Sequence, residues 1–211
     1  ASSRIGAHLR GNVPDSKTLE NLGSSAGQGG YLRMAATGRE EPMSTHSDHF
    51  DYNGIYGASA YSKGSTWMSQ MGYVMGEENR DKALLQYFKD WKFKHPNPND
   101  LIRSFEKVSG LELDWYNEYF VFSTKQIDYG VKEVLKDGDK TKVTLSKLKQ
   151  MPMPMDMVVT YKDGTKEVHY TALRIMRGEK PAETNDKRIV HPDWPWTNPS
   201  YELTINRPIE D

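Results

Sequence analysis

The 211-residue chain contains no cysteine. It cannot form disulfides, a thiolate metal site or a cysteine nucleophile, which excludes disulfide scaffolds and cysteine hydrolases. No apolar run approaches the ~20 residues that a membrane-spanning helix needs. The lack of cysteine does not identify the cellular compartment, because a cysteine-free chain suits the cytosol and the periplasm alike.

An excess of charge of either sign is also missing. The chain has 28 basic and 29 acidic residues and a formal net charge of -1. This balance gives no reason to expect nucleic acid, an anionic membrane or a strongly charged substrate as a partner. Hydrophobic residues make up only 36% of the sequence, a low share for a globular domain. We therefore expect much of the surface to be solvated or covered by a partner.

The two ends of the sequence suggest that it is part of a longer protein. It begins at Ala1 without an initiator methionine or the apolar segment of a signal peptide, so we expect the natural N-terminus to have been removed. It ends soon after the alternating residues 201–205, which predict a strand. We expect a truncated domain at that end.

The first 126 residues predict helices. Residues 1–54 are rich in Gly, Ser and Asn, and we expect short helical pieces around 16–22 and 29–37. Four longer helices follow, with the expected bounds taken from apolar spacing, caps and breakers. They run from an N-cap at Ser59 to Gly76, from about Glu78 to Phe93, from a cap at Asn99 or Asp100 to Gly110, and from Asp114 through Phe122.

Beyond Gln126 the hydrophobic period changes from 3.6 to 2, which indicates strands. Asp137-Gly138 and Asp163-Gly164 each lie between alternating runs, and this pattern is typical of antiparallel hairpins. The sequence therefore predicts an α+β protein. Its two predicted domains are a helical one over 1–126 and an antiparallel β-sandwich-like one over 127–211.

Tyr61 is the strongest candidate for chemistry. A phenol is neutral at pH 7, so it can donate a hydrogen bond to a developing oxyanion at the start of a helix. The alternative is that Tyr61 is an aromatic residue at helical spacing that packs in the core. The residues themselves leave both interpretations open.

Tyr61 opens the run Tyr61-Ser62-Lys63-Gly64, and the segment 55–64 around it resembles the Tyr-x-Lys-Gly helix of zinc aminopeptidases of the aminopeptidase N (gluzincin) family. The resemblance extends over residues 40–115. Residues 151–164 and 193–196 resemble the β-sandwich domain that follows the catalytic domain in a Bacteroidetes subgroup. From residue 40 to residue 196, these segments extend over about three-quarters of the chain.

This resemblance implies a fold, a reaction and a site. The implied fold is the helical C-terminal half of a thermolysin-like catalytic domain followed by a β-sandwich-like domain. Tyr61 would be the catalytic donor to the oxyanion, and Tyr56 would line the substrate pocket. The implied full-length enzyme uses zinc to hydrolyse N-terminal peptide bonds, and its family favours a periplasmic or secreted location.

Other parts of that family's machinery are missing from the sequence. No two of the six histidines are spaced as His-Glu-x-x-His requires, and the Gly-x-Met-Glu-Asn loop that binds the substrate amine is absent. Asn117-Glu118 lies C-terminal to Tyr61, whereas the family's zinc-binding glutamate lies N-terminal to it. We therefore expect a fragment that binds no zinc, is inactive alone and lacks the N-terminal half of its protein.

Three further motifs have a functional and a structural interpretation. His46 and His49 flank Asp48 and could bind a metal, but histidines in a polar loop more often cap turns. The thioethers of Met151, Met153 and Met155 could bind copper, but alternating prolines favour packing in an edge strand. Trp194 and Trp196 could stack on a sugar or fill a buried corner.

A second hypothesis for the whole chain is a non-catalytic module. In that case a helical bundle and a β-sandwich bind a protein or a glycan, and Tyr61 belongs to the core. The residues that precede Ala1 in the full gene separate the two hypotheses. A His-Glu-x-x-His followed by a glutamate would identify the peptidase.

Overall fold

A computed structural model describes residues 26–209, and side chains from residue 28 onward. Within this range the protein combines helices with two three-stranded sheets, as an α+β fold requires. The helices are α1 (Ala26–Ala36), α2 (Asn53–Gly57), a π-helix (Ala58–Lys63), α3 (Gly64–Met75), α4 (Glu77–Trp91), α5 (Pro98–Ser109) and α6 (Asp114–Val121). The strands are β1 (Tyr129–Asp137), β2 (Lys140–Lys147), β3 (Met155–Thr160), β4 (Lys166–Leu173), β5 (Lys187–Trp194) and β6 (Ser200–Ile205).

The chain forms two compact units. The first contains the described residues up to Tyr73 together with Phe120–Thr124. The second contains Val74–Tyr119 and the described residues from Lys125 onward. The change from helix to strand falls between Val121 and Tyr129, around the predicted position 126. A domain edge at that position stays a prediction, because the second unit includes helices as well as strands.

The glycine signals for helix ends are confirmed. Gly76 follows α3 with φ of 88°, and Gly110 follows α5 with φ of 72°, backbone conformations that glycine adopts without steric cost. The start of α5 differs from the prediction. Its cap is Asn97, whose side chain accepts from the backbone N–H groups of Asn99 and Asp100, with Pro98 in the first turn. Proline suits this position because the first helical N–H needs no partner.

The predicted helix start at Ser59 is wrong. Helical backbone begins at Asn53 and continues through the π-helix into α3, so Ser59 lies inside the run. Its hydroxyl donates to the Glu41 carbonyl at 3.4 Å instead of capping a helix end. The predicted helix at 29–37 corresponds to α1, and the one at 16–22 lies outside the described residues.

Both predicted hairpins are confirmed. In the first, Asp137 pairs with Lys140 across the Gly138 turn, and β1 and β2 are antiparallel. In the second, Thr160 pairs with Lys166, and β3 and β4 are antiparallel. β6 completes the first sheet by pairing antiparallel with β2, which gives the order β1-β2-β6.

The second sheet corrects the expectation of a wholly antiparallel module, because β5 runs parallel to β4. Its strand order is β3-β4-β5. Parallel neighbours need a connection of about a dozen residues or more, since the chain must return to the starting edge. Residues 174–186 supply that connection.

The connection 174–186 also packs on helical parts of its own unit. The Glu112 N–H donates to the Met176 carbonyl at 3.0 Å, and the Glu77 N–H donates to a Glu183 carboxylate oxygen at 3.3 Å at the start of α4. These contacts explain why helices and strands share one unit. No helix among residues 26–209 is long and apolar enough to cross a membrane.

Candidate functional site

Tyr61 lies on the surface of the first unit. Its residue is 72% exposed, so the alternative that it packs in the core is wrong. The neighbouring Ser59 and Lys63 point inward and are buried. The Tyr61 side of the π-helix therefore faces solvent, and the side with Ser59 and Lys63 is packed in the interior. The catalytic role of Tyr61 stays a prediction.

The π-helix itself marks this segment, since such short insertions occur frequently at functional sites. Its backbone is wound more widely than the α-helices on either side, and its inner face packs against α1. A Cβ on Gly30 would lie 2.7 Å from the Ser62 hydroxyl oxygen. A side chain at position 30 would therefore displace the Ser62 hydroxyl from its present rotamer.

A buried ion pair anchors the same segment. The Lys63 ammonium nitrogen lies 2.5 Å from a carboxylate oxygen of Glu40, and the two side chains are 1% and 3% exposed. The ammonium also donates to the Ser123 carbonyl at 3.0 Å and lies over the rings of Tyr31 and Phe120. Burial lowers the pKa of Lys63, and the hydrogen bond and charge of Glu40 oppose that shift.

Tyr56 lies on α2 and is 37% exposed. Its ring meets Phe50 edge-on, with centroids 5.6 Å apart and planes at 69°. The structure thus places both predicted site tyrosines at the surface of one unit. Whether Tyr56 contacts substrate stays a prediction.

His46 and His49 are exposed side chains at a short 3₁₀ turn, Ser47–His49. Their ring centroids lie 5.3 Å apart, and His46 Nδ1 accepts from the Asp48 N–H at 3.3 Å. The described part of the chain gathers no three His, Cys, Asp or Glu side chains that could hold a metal ion.

The methionine-proline segment and Trp194 are structural in the second unit. Met151 and Met153 are buried, as the packing interpretation predicts. Trp194 is 1% exposed and packs between the rings of Tyr129 and Tyr201. It fills a buried corner and cannot offer a sugar platform.

Two features are not predicted by the sequence motifs. One is the Lys63–Glu40 pair, although Lys63 belongs to the same four-residue motif as Tyr61. The other is a pair of stacked imidazoles in the second sheet, where His169 Nδ1 lies 2.8 Å from His191 Nε2 and the ring planes are 24° apart. The parallel register of β4 and β5 brings these residues together, and no local pattern signals it.

Burial lowers the pKa of both imidazoles. For His169 the carboxylate of Glu167, with an oxygen 3.5 Å from Nε2, partly opposes the shift. For His191 the neighbouring His169 lowers the pKa further. The site therefore favours two neutral rings that share one hydrogen bond.

Comparison with known proteins connects the Tyr61 segment to one family. Residues 12–120 match the model of the peptidase family M1 domain, which is 109 of the 211 residues and so more than half of the chain. The chain is also 26% identical over 145 residues to the tricorn protease-interacting factor F2 of Thermoplasma acidophilum. That match covers 65% of this chain and 18% of the relative, so the chain spans about a fifth of the relative's length.

Proposed function

Because the chain belongs to peptidase family M1, we propose that it is part of a zinc-dependent aminopeptidase that hydrolyses N-terminal peptide bonds. Residues 1–126 contribute the helical part of a thermolysin-like catalytic domain, and residues 127–211 contribute a β-sandwich-like domain behind it. The chain alone is inactive. The substrate is a peptide, and the missing partner is the N-terminal half of the same protein.

The observation that supports this proposal is the outward position of Tyr61 on an anchored π-helix. A tyrosine hydroxyl donates a hydrogen bond without carrying a charge, so it can stabilise an oxyanion that develops on a peptide carbonyl. Such a donor is effective only when its position is fixed before the reaction. Tyr56 provides an exposed aromatic ring on the preceding helix for contact with the substrate.

Zinc belongs to the proposal for the full-length enzyme and not to this chain. The described residues hold no ligand set, and the sequence has no His-Glu-x-x-His. The role of this chain is therefore to supply Tyr61 and the π-helix on which it lies. We expect the zinc ligands and the amine-binding loop in the residues that precede Ala1 in the longer protein.

The proposal is tested on the gene and on the full-length protein. The upstream sequence should encode His-Glu-x-x-His followed by a glutamate, and the full-length protein should release the first residue from aminoacyl p-nitroanilides. This chain, assayed at equal concentration, should show no turnover. An upstream sequence without those ligands, together with an inactive full-length protein, would instead support a non-catalytic module that binds protein or glycan.

A further inference from the structure

A charged pair at the back of the π-helix connects three separate parts of the first unit. Lys63 belongs to the π-helix, Glu40 lies in the segment between α1 and α2, and Ser123 follows α6. The Lys63 ammonium contacts the other two residues from a fully buried position. It is the inner neighbour, two residues along the chain, of the exposed Tyr61.

We propose that Lys63 and Glu40 are positioning residues for Tyr61, and that their ion pair fixes the π-helix so that the phenol is held where the reacting carbonyl will lie. This inference rests on the proposed peptidase function. Neither residue reaches solvent, so neither can touch a substrate. They act through the backbone that carries Tyr61.

The surroundings of the pair make its geometry specific. The second carboxylate oxygen of Glu40 has no hydrogen-bond donor among residues 26–209, so Lys63 is the group that neutralises this carboxylate. A folded protein is strongly destabilised when a buried charge loses its partner. The ammonium must therefore stay at Glu40, and the π-helix must keep the winding that brings it there.

Two neighbouring residues constrain the inner face of the segment as well. Ser62 packs closely on Gly30 of α1, where a Cβ would lie 2.7 Å from its hydroxyl oxygen, while Ser59 donates to the Glu41 carbonyl. Inward contacts at residues 59, 62 and 63 hold the π-helix against rewinding as an α-helix. Such rewinding would rotate Tyr61 relative to the rest of the first unit.

The alternative is that the pair serves folding alone, and a double variant separates the two roles. Lys63→Met with Glu40→Leu removes both charges together, and replacing a buried ion pair with apolar residues often leaves a protein folded. In the full-length enzyme we expect this variant to fold, to keep its KM, and to lose about 100-fold in kcat, since a misplacement of about 1 Å can cost that much. Wild-type kcat in the folded double variant would overturn the proposal.

Two additional variants complete the test. Lys180→Met removes another buried lysine, which is paired with Asp156 and Glu183 in the second unit, and should lower thermal stability without a change in kcat. If the double variant does not fold, Glu40→Asp replaces it, because the shorter side chain keeps the negative charge beside Lys63 but shifts the position of the carboxylate. A kcat loss with unchanged KM then supports positioning, and an unchanged kcat overturns it.

Failure of the proposed function is recognised separately, because the wild-type full-length protein would then show no turnover. The positioning role is in that case decided by NMR on this chain. The Gly30 Hα to Ser62 Hβ contact and the backbone shifts of residues 58–63 should change in Glu40→Asp and stay unchanged in Lys180→Met. Unchanged shifts in both variants would overturn the proposal.

Discussion

Pro181 packs against Gly76 so closely that a Cβ on Gly76 would lie 3.1 Å from the proline Cγ. Gly76 has φ of 88° and ψ of 137°, a combination that side-chain-bearing residues rarely adopt. We expect Gly76→Ala to lower the free energy of unfolding by about 1–3 kcal/mol from backbone strain, with an added steric cost at Pro181. Urea unfolding of this chain measures the loss.

Gly110→Ala is the matched control in the same unit. Gly110 also follows a helix with positive φ, but a Cβ there would have open space around it. Its loss should be smaller, about 1–2 kcal/mol for the left-handed conformation alone. Equal losses in the two variants would contradict the larger cost expected at Gly76.

The His169–His191 pair makes the second unit sensitive to acid. Because burial lowers both pKa values in the folded state, the unfolded chain takes up protons first as the pH falls through its ordinary histidine pKa of about 6.5. The stabilising contribution is thus complete above that pH and is lost as the pH falls through the lower folded values. The negative charge of Glu167 reduces this effect at His169, and the positive charge of Lys187 increases it. The remaining titratable neighbour of His169 is His191, which carries no negative charge.

We expect His191→Asn to reduce this pH dependence, because it removes one of the two coupled protonation sites. The measurement is the free energy of unfolding at several pH values between 7.5 and 5 by urea titration, using a pH range centred near the histidine pKa of about 6.5. His95→Asn changes an exposed histidine in the same unit and should leave the wild-type slope. An identical slope in His191→Asn would contradict the role of the pair.

Tyr61→Phe should lower kcat of the full-length enzyme by about 100- to 1000-fold with little change in KM, because the lost hydrogen bond forms mainly in the transition state. The free energy of unfolding of this chain should change by less than about 0.5 kcal/mol, since the phenol is exposed. Tyr52→Phe removes a hydroxyl from another exposed tyrosine of the first unit and is the control for kcat. Unimpaired turnover of Tyr61→Phe would leave the site without its catalytic residue.

This chain should retain no stoichiometric zinc after dialysis, because a catalytic site needs three protein ligands and the sequence has no His-Glu-x-x-His. Elemental analysis with the full-length protein as the positive control provides the measurement. One tightly bound zinc per chain would contradict the expectation. In that case His46→Ala with His49→Ala should release it.

Local signals in the sequence predict the C-terminal ends of helices and the hairpin turns better than the helix starts. Gly76 and Gly110 end helices as expected, and both Asp-Gly turns form hairpins, because a positive φ at one residue decides each of these features. The exposed position of Tyr61 also agrees with the family resemblance. The motif that suggests a role for Tyr61 consists of four consecutive residues, so it is visible in the sequence alone.

Features that depend on distant residues were not predictable in this way. The π-helix differs from an α-helix through inward contacts of Ser59 and Lys63 with residues 41, 40 and 123, and apolar spacing cannot show such contacts. The parallel pairing of β5 depends in the same way on where residues 174–186 pack. The buried Lys63–Glu40 pair joins residues 23 positions apart, so it was found only in three dimensions.

The strand order β1-β2-β6 has a consequence for synthesis on the ribosome. β2 lies in the centre of its sheet, yet its second neighbour, β6, is translated only after residues 148–199. At about 5–20 residues per second, the unpaired edge of β2 stays open for several seconds. Open edges can pair with strands of other chains, so during this interval the nascent chain carries an edge of β2 that only β6 can cover.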